Sequence, residues 1–492
     1  RNCDWSSDVC SSDLNLDAQT SAAFQIDLDQ ATLLVNGRPL LHLLGTFAAE
    51  PLQRALQRRD FGVDEAKAAI AERGLLVVTM LPGQPGASEL RSDGQWYGYN
   101  VDVARAISEQ LTGSADRLSI LASPTVEGGL EAIRTGHADM GLLGSSISSL
   151  TPDASLSIDL SRPYLVDPQD WLVREGTAIN PLAVALPENQ SRLRDAVNGI
   201  VQTPAAAEAL GLRSEDLAWL TQQAGLTGTD LESLADPIRD LLELGPARSG
   251  FASLGEAIGL ARGFTLKVLA RLGNARELWT RHVSSEPVPL QPLPFTGDGL
   301  LPAAGEAGPR RDLVAVVRER GVLQVSVAQG PLLGVDQDLA RALAIALLGD
   351  ATRLNLTTSS GSIPEMLAAV AGGDGDLALG AGNVNLWRDG AYGVDFSESY
   401  LQSGLCILTP TALGISHLNQ LNGSSIGLVS STTTAGTIRL ALAKTGAAAR
   451  IVSYPNADAL DHAFRTGEVQ AMAARSEEHT SELQSQFRIS YA

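Results

Sequence analysis

The chain has 492 residues, a length that allows two to four domains. Hydrophobic residues make up 44% and charged residues 19%, a composition that can bury a core and excludes a disordered chain. The formal net charge of −20 argues against a nucleic-acid partner, because phosphate contacts need clustered cations. No run approaches 18 uninterrupted apolar residues, so the sequence predicts no membrane-spanning helix.

The two ends of the chain differ in character from the rest. Residues 1–14 and 475–492 resemble a translated sequencing adapter, because one DNA stretch can encode part of the first segment on one strand and part of the second on the other. We interpret both as adapter sequence and set them aside. The alternative is two polar, Ser-rich tails. Residues 15–64 include the strand-like run ATLLV and the helix-like run EPLQRALQRR but stay unassigned.

A first α/β segment is predicted over residues 65–175. The strand-like run LLVVTML precedes VDVARAISEQL, whose apolar residues recur at helical spacing. RLSILA and DMGLLG are typical of strands and flank the short helical run GGLEAIRTG. This alternation predicts a parallel, doubly wound sheet. Residues 176–306 continue through a return strand at PLAVALPEN into a helical tail.

Residues 307–474 repeat the first segment. The run AAIAERGLLVVTMLPG at 68–83 matches AVVRERGVLQVSVAQG at 315–330 at an offset of 247, and IDLSRPYL at 158–165 matches VDFSESYL at 394–401 at an offset of 236. The second copy has therefore lost about eleven residues between these motifs. A period this long indicates domain duplication and not a solenoid.

Only the second copy continues into a second set of strands and helices. Strands are predicted at SIGLVSS, ARIVSYP and EVQAMAA, with helices at TTTAGTIRLALAKTG and ADALDHAFRTG between them. The second copy thus holds one lobe, a connection near LQSGLCILTP and most of a second lobe. In such sheets, ligands bind outside the carboxyl ends of the strands.

Motifs in this order resemble the solute-binding proteins of ABC transporters, in the polar amino-acid family. The family signature G-x-W-x-G-[FY]-x-V-D appears at residues 94–102, and its Arg followed by V-D-F-S-x-x-Y appears as Arg388 and residues 394–400. The tail segments AEALGL, PIRDLL and LGNARELWTR resemble the general L-amino-acid-binding branch. The resemblance covers roughly residues 65–474. It implies the two-lobed periplasmic binding protein type II fold with a hinge, here in tandem and partly degenerate.

The same resemblance implies a function. It predicts a periplasmic or extracellular protein, free or membrane-tethered, that binds an L-amino acid between two lobes and delivers it to an ABC transporter permease. Closure of the lobes shifts a population between open and closed forms. Because no bond is made or broken, we expect neither enzymatic activity nor a cofactor.

The chemistry of an amino acid suggests which residues hold it. Its carboxylate is best bound by a guanidinium, which can donate two parallel hydrogen bonds. The resemblance gives this role to Arg388, and the alternative is a surface Arg paired with Asp389. Asn383 occupies a Ser/Thr position of the family pattern and offers both a donor and an acceptor.

A Thr-rich helix start is the second predicted contact. Thr433 and Thr434 match a G-T-T/S motif of the family, and Thr432 precedes them. The resemblance implies hydroxyl and N–H donors to the ligand carboxylate here, while ordinary N-capping is the alternative. The family's ammonium-binding acid is expected at or just beyond Ala474, where the adapter begins.

The first copy departs from the family where an anchor is needed. Pro152 and Asp153 stand where the anchoring Arg is expected, so we expect no amino acid to be clamped there. Trp96 is interpreted as a loop-packing residue. The second copy has the Arg and the second lobe but has lost the Trp-containing loop.

Two other functions stay open. The same modules serve as ligand sensors ahead of a kinase, and a few relatives are periplasmic cyclohexadienyl or arogenate dehydratases, which need a catalytic acid that we do not locate. The six His residues show no metal-binding spacing, so no metal site is predicted. Cys406 is interpreted as a buried small hydrophobe.

Overall fold

The computed structural model divides into two compact units. The first comprises Arg1–Leu217 and Phe264–Pro292, and the second comprises Ala218–Gly263 and Leu293–Ala492. The structure describes residues 24–27, 32–35, 38–39, 64–144, 158–166, 181–225, 236–244, 253–283, 295, 312–329, 332–359, 363–380, 384–397, 400, 405–430, 434–475 and 487–491.

The N-terminal segment forms a small antiparallel sheet. Its strands are β1 (Phe24–Asp27), β2 (Thr32–Val35) and β3 (Arg38–Pro39), in that spatial order. The strand predicted at ATLLV is confirmed as β2. The helix-like run at residues 50–59 lies outside the described residues.

The first copy folds into one five-stranded sheet with flanking helices. Its elements in chain order are α1 (Ala66–Arg73), β4 (Leu76–Met80), β5 (Glu89–Leu90), β6 (Trp96–Tyr97), α2 (Tyr99–Thr112), β7 (Leu118–Ala122), α3 (Val126–Arg134), β8 (Met140–Leu142), β9 (Ile158–Leu160), β10 (Leu165–Val166), β11 (Pro181–Leu182), β12 (Ala185–Pro187) and α4 (Ser191–Ala209). The strands of the large sheet lie in the order β7-β4-β8-β12-β9. β4 pairs in parallel with β7 and β8, so the predicted parallel, doubly wound arrangement is confirmed.

The predicted return strand closes this sheet. β12 inserts antiparallel between β8 and β9, pairing Ala185 with Gly141 and with Leu160. All five residues of β4 are buried, as expected for a parallel strand covered on both faces.

The tail that follows is helical, as predicted. Its helices are α5 (Leu217–Gln223), α6 (Asp236–Leu241), α7 (Leu254–Ala257), α8 (Phe264–Leu272) and α9 (Ala275–His282). In the first unit, α8 packs against α4 and α2, and α9 packs against the same two helices. Asn274 begins α9 with its side chain accepting from the Glu277 N–H, while the Glu277 carboxylate accepts from the Asn274 N–H.

The second copy holds two sheets. The first contains α10 (Leu313–Arg320), β13 (Leu323–Ala328), α11 (Leu333–Leu348), β14 (Leu354–Ser359), α12 (Ile363–Gly372), β15 (Leu377–Leu379) and α13 (Leu386–Tyr392), with the strand order β14-β13-β15. The second contains β16 (Leu405–Pro410), β17 (Ser425–Val429), α14 (Thr434–Thr445), β18 (Arg450–Tyr454), α15 (Ala457–Arg465), β19 (Ala471–Arg475) and β20 (Phe487–Tyr491), with the strand order β18-β17-β19-β16-β20. β20 lies within residues 475–492 and pairs antiparallel with β16.

An Arg–Asp pair fixes the start of the sheet in both copies. In the first copy, the Arg73 guanidinium lies 2.5 Å from the Asp139 carboxylate, which also accepts from the Val77 N–H at 2.8 Å. In the second copy, Arg320 pairs with Asp376, which accepts from the Gln324 N–H at 2.7 Å. Each pair joins the end of a helix, the first strand and the turn before the third strand. The repeat seen in the sequence is therefore also a repeat of contacts.

Candidate functional site

The carboxyl ends of the parallel strands are the places to look for a ligand. In the first copy these are the ends of β4, β7 and β8, and in the second copy the ends of β13, β14 and β15. Helix starts and loops converge at such edges and supply polar groups that the strands themselves cannot offer.

In the first copy, the motif loop is folded tightly against its own backbone. Gly98 has φ 124°, and a Cβ there would lie 2.3 Å from the carbonyl oxygen of Ala87, so only glycine fits. Trp96 is half-buried and pairs across a two-stranded ribbon with Leu90. In the second copy the equivalent Gly334 has open space around it, because the loop is absent there.

At the edge of the first sheet, the loop after β4 contacts a residue just after β8. A Cβ on Gly144, just after β8, would lie 2.8 Å from the side-chain nitrogen of Gln84. Ser88 Oγ donates to the Leu81 carbonyl oxygen at 2.6 Å and lies 3.1 Å from Gln84 Oε1. These contacts join the loop after β4 to the end of β8 at this edge. Residues 152 and 153, where the family's Arg is expected, lie outside the described residues.

A buried tyrosine ties the start of α2 to the crossover segment in the first copy. Tyr164 Oη donates to Asn100 Oδ1 at 2.9 Å, and Tyr99 Oη donates to the Tyr164 carbonyl oxygen at 3.1 Å. The two rings are stacked with centroids 6.1 Å apart. Burial raises the pKa of both phenols well above its usual range, so both are neutral donors.

The second copy has an acid at the equivalent place. At the offset of 236, Asp336 stands for Asn100 and Tyr400 for Tyr164. Tyr400 Oη donates to Asp336 Oδ1 at 2.8 Å and accepts from the Gly380 N–H at 3.1 Å. Gly380 lies at the end of β15 with φ 92°, and a Cβ there would lie 2.6 Å from Asp336 Oδ2. Tyr400 is about half exposed, so this edge is more open than that of the first copy.

Asp336 is a buried carboxylate with one satisfied oxygen. The residue is 1% exposed, and Oδ2 has no hydrogen-bond partner among the described residues. Burial raises the pKa of Asp336 above its ordinary value, against the opposing effect of the Tyr400 hydroxyl. The ionised form is therefore disfavoured in the folded protein.

Helix α13 carries the predicted anchor. Arg388 is 1% exposed and is among the largest fully buried side chains of the described residues. Asn385 caps the helix, its Oδ1 accepting from the Arg388 N–H at 2.7 Å. Asn385 Nδ2 and Trp387 Nε1 are buried and have no hydrogen-bond partner among the described residues. The first turn of α13 therefore combines a guanidinium with two further buried donors.

The remaining predicted ligand residues lie around the same two sheets. Thr434 is half-buried and begins α14 after β17, at the carboxyl edge of the second sheet. Asn383, Thr432 and Thr433 lie outside the described residues. Asp389, the alternative partner considered for Arg388, is itself buried and not on the surface.

The sequence motifs do not single out Asp336 or the donors beside Arg388. The repeat could have found Asp336, because the motif tyrosines at 164 and 400 align and the residues at 100 and 336 align with them. Nothing in the sequence marks Asn385 or Trp387 as buried donors, since their burial depends on what packs over α13.

These sheets and edges are those of a two-lobed binding protein fold, and a family comparison agrees. Residues 76–210 match the model of the bacterial extracellular solute-binding proteins, family 3. The match runs from β4 to just beyond α4 and so covers the first copy. The resemblance to solute-binding proteins and the periplasmic binding protein type II fold are confirmed. Residues 76–210 are thus similar to this family over the first copy.

Solved structures resemble parts of the chain. A periplasmic binding protein from Brucella ovis with glutathione bound is 13% identical, with 46% of this chain and 93% of that chain covered and a TM-score of 0.36. The solute receptor for L-cysteine of Neisseria gonorrhoeae is 21% identical, with 33% and 67% covered and a TM-score of 0.27. The cysteine-binding protein from Campylobacter jejuni is 16% identical, with 36% and 73% covered and a TM-score of 0.30. Curated protein sequences gave no match.

Among the described helices, none combines the length and the apolar character needed to cross a membrane.

Proposed function

We propose that the chain is the extracytoplasmic solute-binding component of an ABC importer, and that its second copy reversibly binds an L-amino acid. The two sheets of the second copy are the two lobes of this proposed binding module. The ligand carboxylate meets Arg388 from one lobe and Thr434 from the other. A permease of the same ABC transporter would then receive the ligand from this chain.

The donor set of α13 is the observation that carries this proposal. A buried N–H without a partner costs about 1–3 kcal/mol. Burial of Asn385 Nδ2 and Trp387 Nε1 therefore destabilises the fold unless an acceptor binds to them. A carboxylate is acceptor-only and can take several hydrogen bonds at once. Together with the Arg388 guanidinium, these donors match the carboxylate of an amino acid.

The depth of Arg388 bears on how the ligand enters. At 1% exposure the guanidinium is not accessible in this state. α13 packs against α7, where a Cβ on Gly390 would lie 2.9 Å from the Ala257 carbonyl oxygen. Entry of a ligand therefore requires the packing around α13 to open. This corresponds to the open form of the proposed open–closed equilibrium.

A thermal-stability panel of the twenty L-amino acids on the full chain tests the proposal. A ligand present at 100 times its Kd adds about 2.7 kcal/mol to the stability of the state that binds it. One amino acid, or a chemically related group, should raise the melting temperature. Trp387→Phe removes one proposed donor at little cost in volume and should weaken the shift.

A matched control separates ligand binding from general stabilisation. Trp219→Phe changes a tryptophan of the same unit that is 41% exposed, and it should leave the shift unchanged. No shift with any amino acid would contradict the proposal. Incubation with arogenate or prephenate belongs in the same experiment, because formation of a product would assign a dehydratase instead.

A further inference from the structure

Helix α2 of the first copy is covered on its outer face by the helical pair α8–α9. The Asp102 carboxylate accepts from Arg281 at 3.1 Å and lies 2.8 Å from His282 Nε2. Glu109 pairs with Arg271 at 2.5 Å. The Tyr99 ring meets the Trp279 ring edge-on, with centroids 6.3 Å apart. The pair thus binds through an apolar face and through cations that reach the carboxylates of α2.

Helix α11 is the counterpart of α2 in the second copy. At the offset of 236, Val335 stands for Tyr99, Asp338 for Asp102 and Ile345 for Glu109. Val335 is 54% and Ile345 53% exposed, whereas Tyr99 is 3% exposed. The outer face of α11 therefore exposes two apolar side chains beside the exposed Asp338 and Arg341, where the equivalent face of α2 is covered.

The α2 carboxylate that binds the end of α9, Asp102, has a counterpart on α11 in Asp338. The Asp338 side chain is 79% exposed, and the Arg341 guanidinium lies 2.6 Å from it. Asp102 has the same neighbour, with Arg105 at 3.7 Å. Asp102 is 20% exposed because Arg281 and His282 cover it. Asp338 keeps the carboxylate and the local ion pair but has no second cation among the described residues.

We propose that the outer face of α11 binds an amphipathic, cationic helix pair of a partner protein, with the chemistry of α8–α9. Residues 264–283 show that chemistry, with four Lys or Arg residues, one carboxylate and an apolar face. Val335 receives the apolar face, Ile345 packs against the aliphatic stem of the side chain at the position of Arg271, and Asp338 receives cations at the end of the second helix. This surface lies outside the proposed amino-acid site and does not depend on it.

Disulfide trapping with a peptide tests this surface in the full chain. The protein carries Ile345→Cys together with Cys3→Ser and Cys10→Ser, while Cys406 stays in place because it is buried. The probe is a peptide of residues 264–283 with Arg271→Cys, since Arg271 touches Glu109, the counterpart of Ile345. Leu413→Cys is the matched control, an apolar residue of the same unit that is 50% exposed.

The expected yield of mixed disulfide is at least about tenfold higher at position 345 than at position 413. Asp338→Asn in the protein and Arg281→Ala with His282→Ala in the peptide should each lower the yield, and their effects should not add, because they remove the same interaction. The proposal would be overturned by equal yields at the two positions. It would also be overturned if Asp338→Asn left the yield at position 345 unchanged. Trapping by Glu109→Cys but not by Ile345→Cys would also overturn it, because the peptide would then have displaced the chain's own α8–α9.

Discussion

Tyr400 donates a hydrogen bond to a buried carboxylate of Asp336 at 2.8 Å, where the first copy places Tyr164 and the neutral Asn100 at 2.9 Å. The duplicated fold has kept the hydroxyl and its geometry but has changed the charge of the acceptor. An amide in this position needs no counter-charge. The Asp336 carboxylate loses its hydrogen bonds to water on burial. No hydrogen bond from the described residues replaces them at Oδ2.

This difference predicts a pH-dependent effect of Asp336→Asn. Because burial raises the pKa of Asp336 in the folded state, the folded protein holds its proton to higher pH than the unfolded chain does. The contribution of Asp336 to the free energy of unfolding therefore falls as pH rises. The fall begins at the ordinary pKa of the group, 3.8, and continues through its raised pKa in the folded state. Asn avoids that loss, so Asp336→Asn should stabilise the second unit by about 1 kcal/mol at pH 7.

Urea unfolding at pH 4 and pH 7 measures this effect, with peptide-resolved hydrogen exchange to assign it to the second unit. The gain should vanish at pH 4. Asn100→Asp in the first copy is the reciprocal variant and should destabilise at pH 7. A variant Asp336→Asn that is equally or less stable at pH 7 would show that the carboxylate has a compensating partner.

The Arg73–Asp139 pair predicts a large cost for losing its carboxylate. Asp139 is fully buried and also accepts a backbone N–H, so Asp139→Asn leaves the largely covered Arg73 guanidinium without its counter-charge. We expect a loss of about 3–5 kcal/mol in the free energy of unfolding. Glu131→Gln is the control, because Glu131 forms an equally short but exposed pair with Arg134, and exposed pairs contribute about 0–1 kcal/mol. Similar costs for the two variants, measured by chemical denaturation, would contradict this ranking.

The contact between α2 and α9 predicts an acid-sensitive tail. Burial alone would raise the pKa of Asp102, but hydrogen bonds from His282 and Arg281 outweigh it and hold that pKa below its ordinary value. A depressed pKa stabilises the folded state above the ordinary value, and the benefit is lost as pH falls through the folded pKa. We expect α9 to loosen below about pH 4, a pH bounded by the ordinary pKa of Asp.

Tryptophan fluorescence reports on this loosening, because Trp279 of α9 lies against Tyr99. The acid transition should shrink in Asp102→Asn, which is destabilised by about 1–3 kcal/mol at neutral pH. Trp279→Phe should abolish the acid-induced change in fluorescence, which would assign that change to Trp279. An unchanged acid transition in Asp102→Asn would mean that other carboxylates control it.

Much of the fold follows from local sequence. The strands at LQVSVA and SIGLVSS and the helix at VDVARAISEQL are confirmed, because each pattern is set by neighbours within a few residues. The repeat also aligns Arg73 with Arg320. It does not show that both pair with an Asp before the third strand, because that contact spans more than fifty residues.

The burial of the site residues was less predictable than the helices and strands, because burial depends on contacts between distant parts of the chain. Arg388 is identified by its motif, yet its complete burial depends on α7 and α12, which pack against α13. The exposure of Val335 and Ile345 has the same origin, since the pattern of α11 resembles that of α2 and only the tertiary structure shows what covers each helix. Packing between elements far apart in the chain decides these points.

We propose that the second copy binds an amino acid through Arg388. Isothermal titration of the full chain with the amino acid that gives the largest thermal shift tests it most directly. Arg388→Ala should weaken binding at least about 100-fold, whereas Arg162→Ala, a buried Arg of the first copy, should leave Kd unchanged. Because replacing a large buried side chain with Ala destabilises the fold, Thr434→Val serves as a second variant and should weaken binding about tenfold. Wild-type affinity in both Arg388→Ala and Thr434→Val, or a loss only in Arg162→Ala, would contradict amino-acid binding by Arg388 and Thr434.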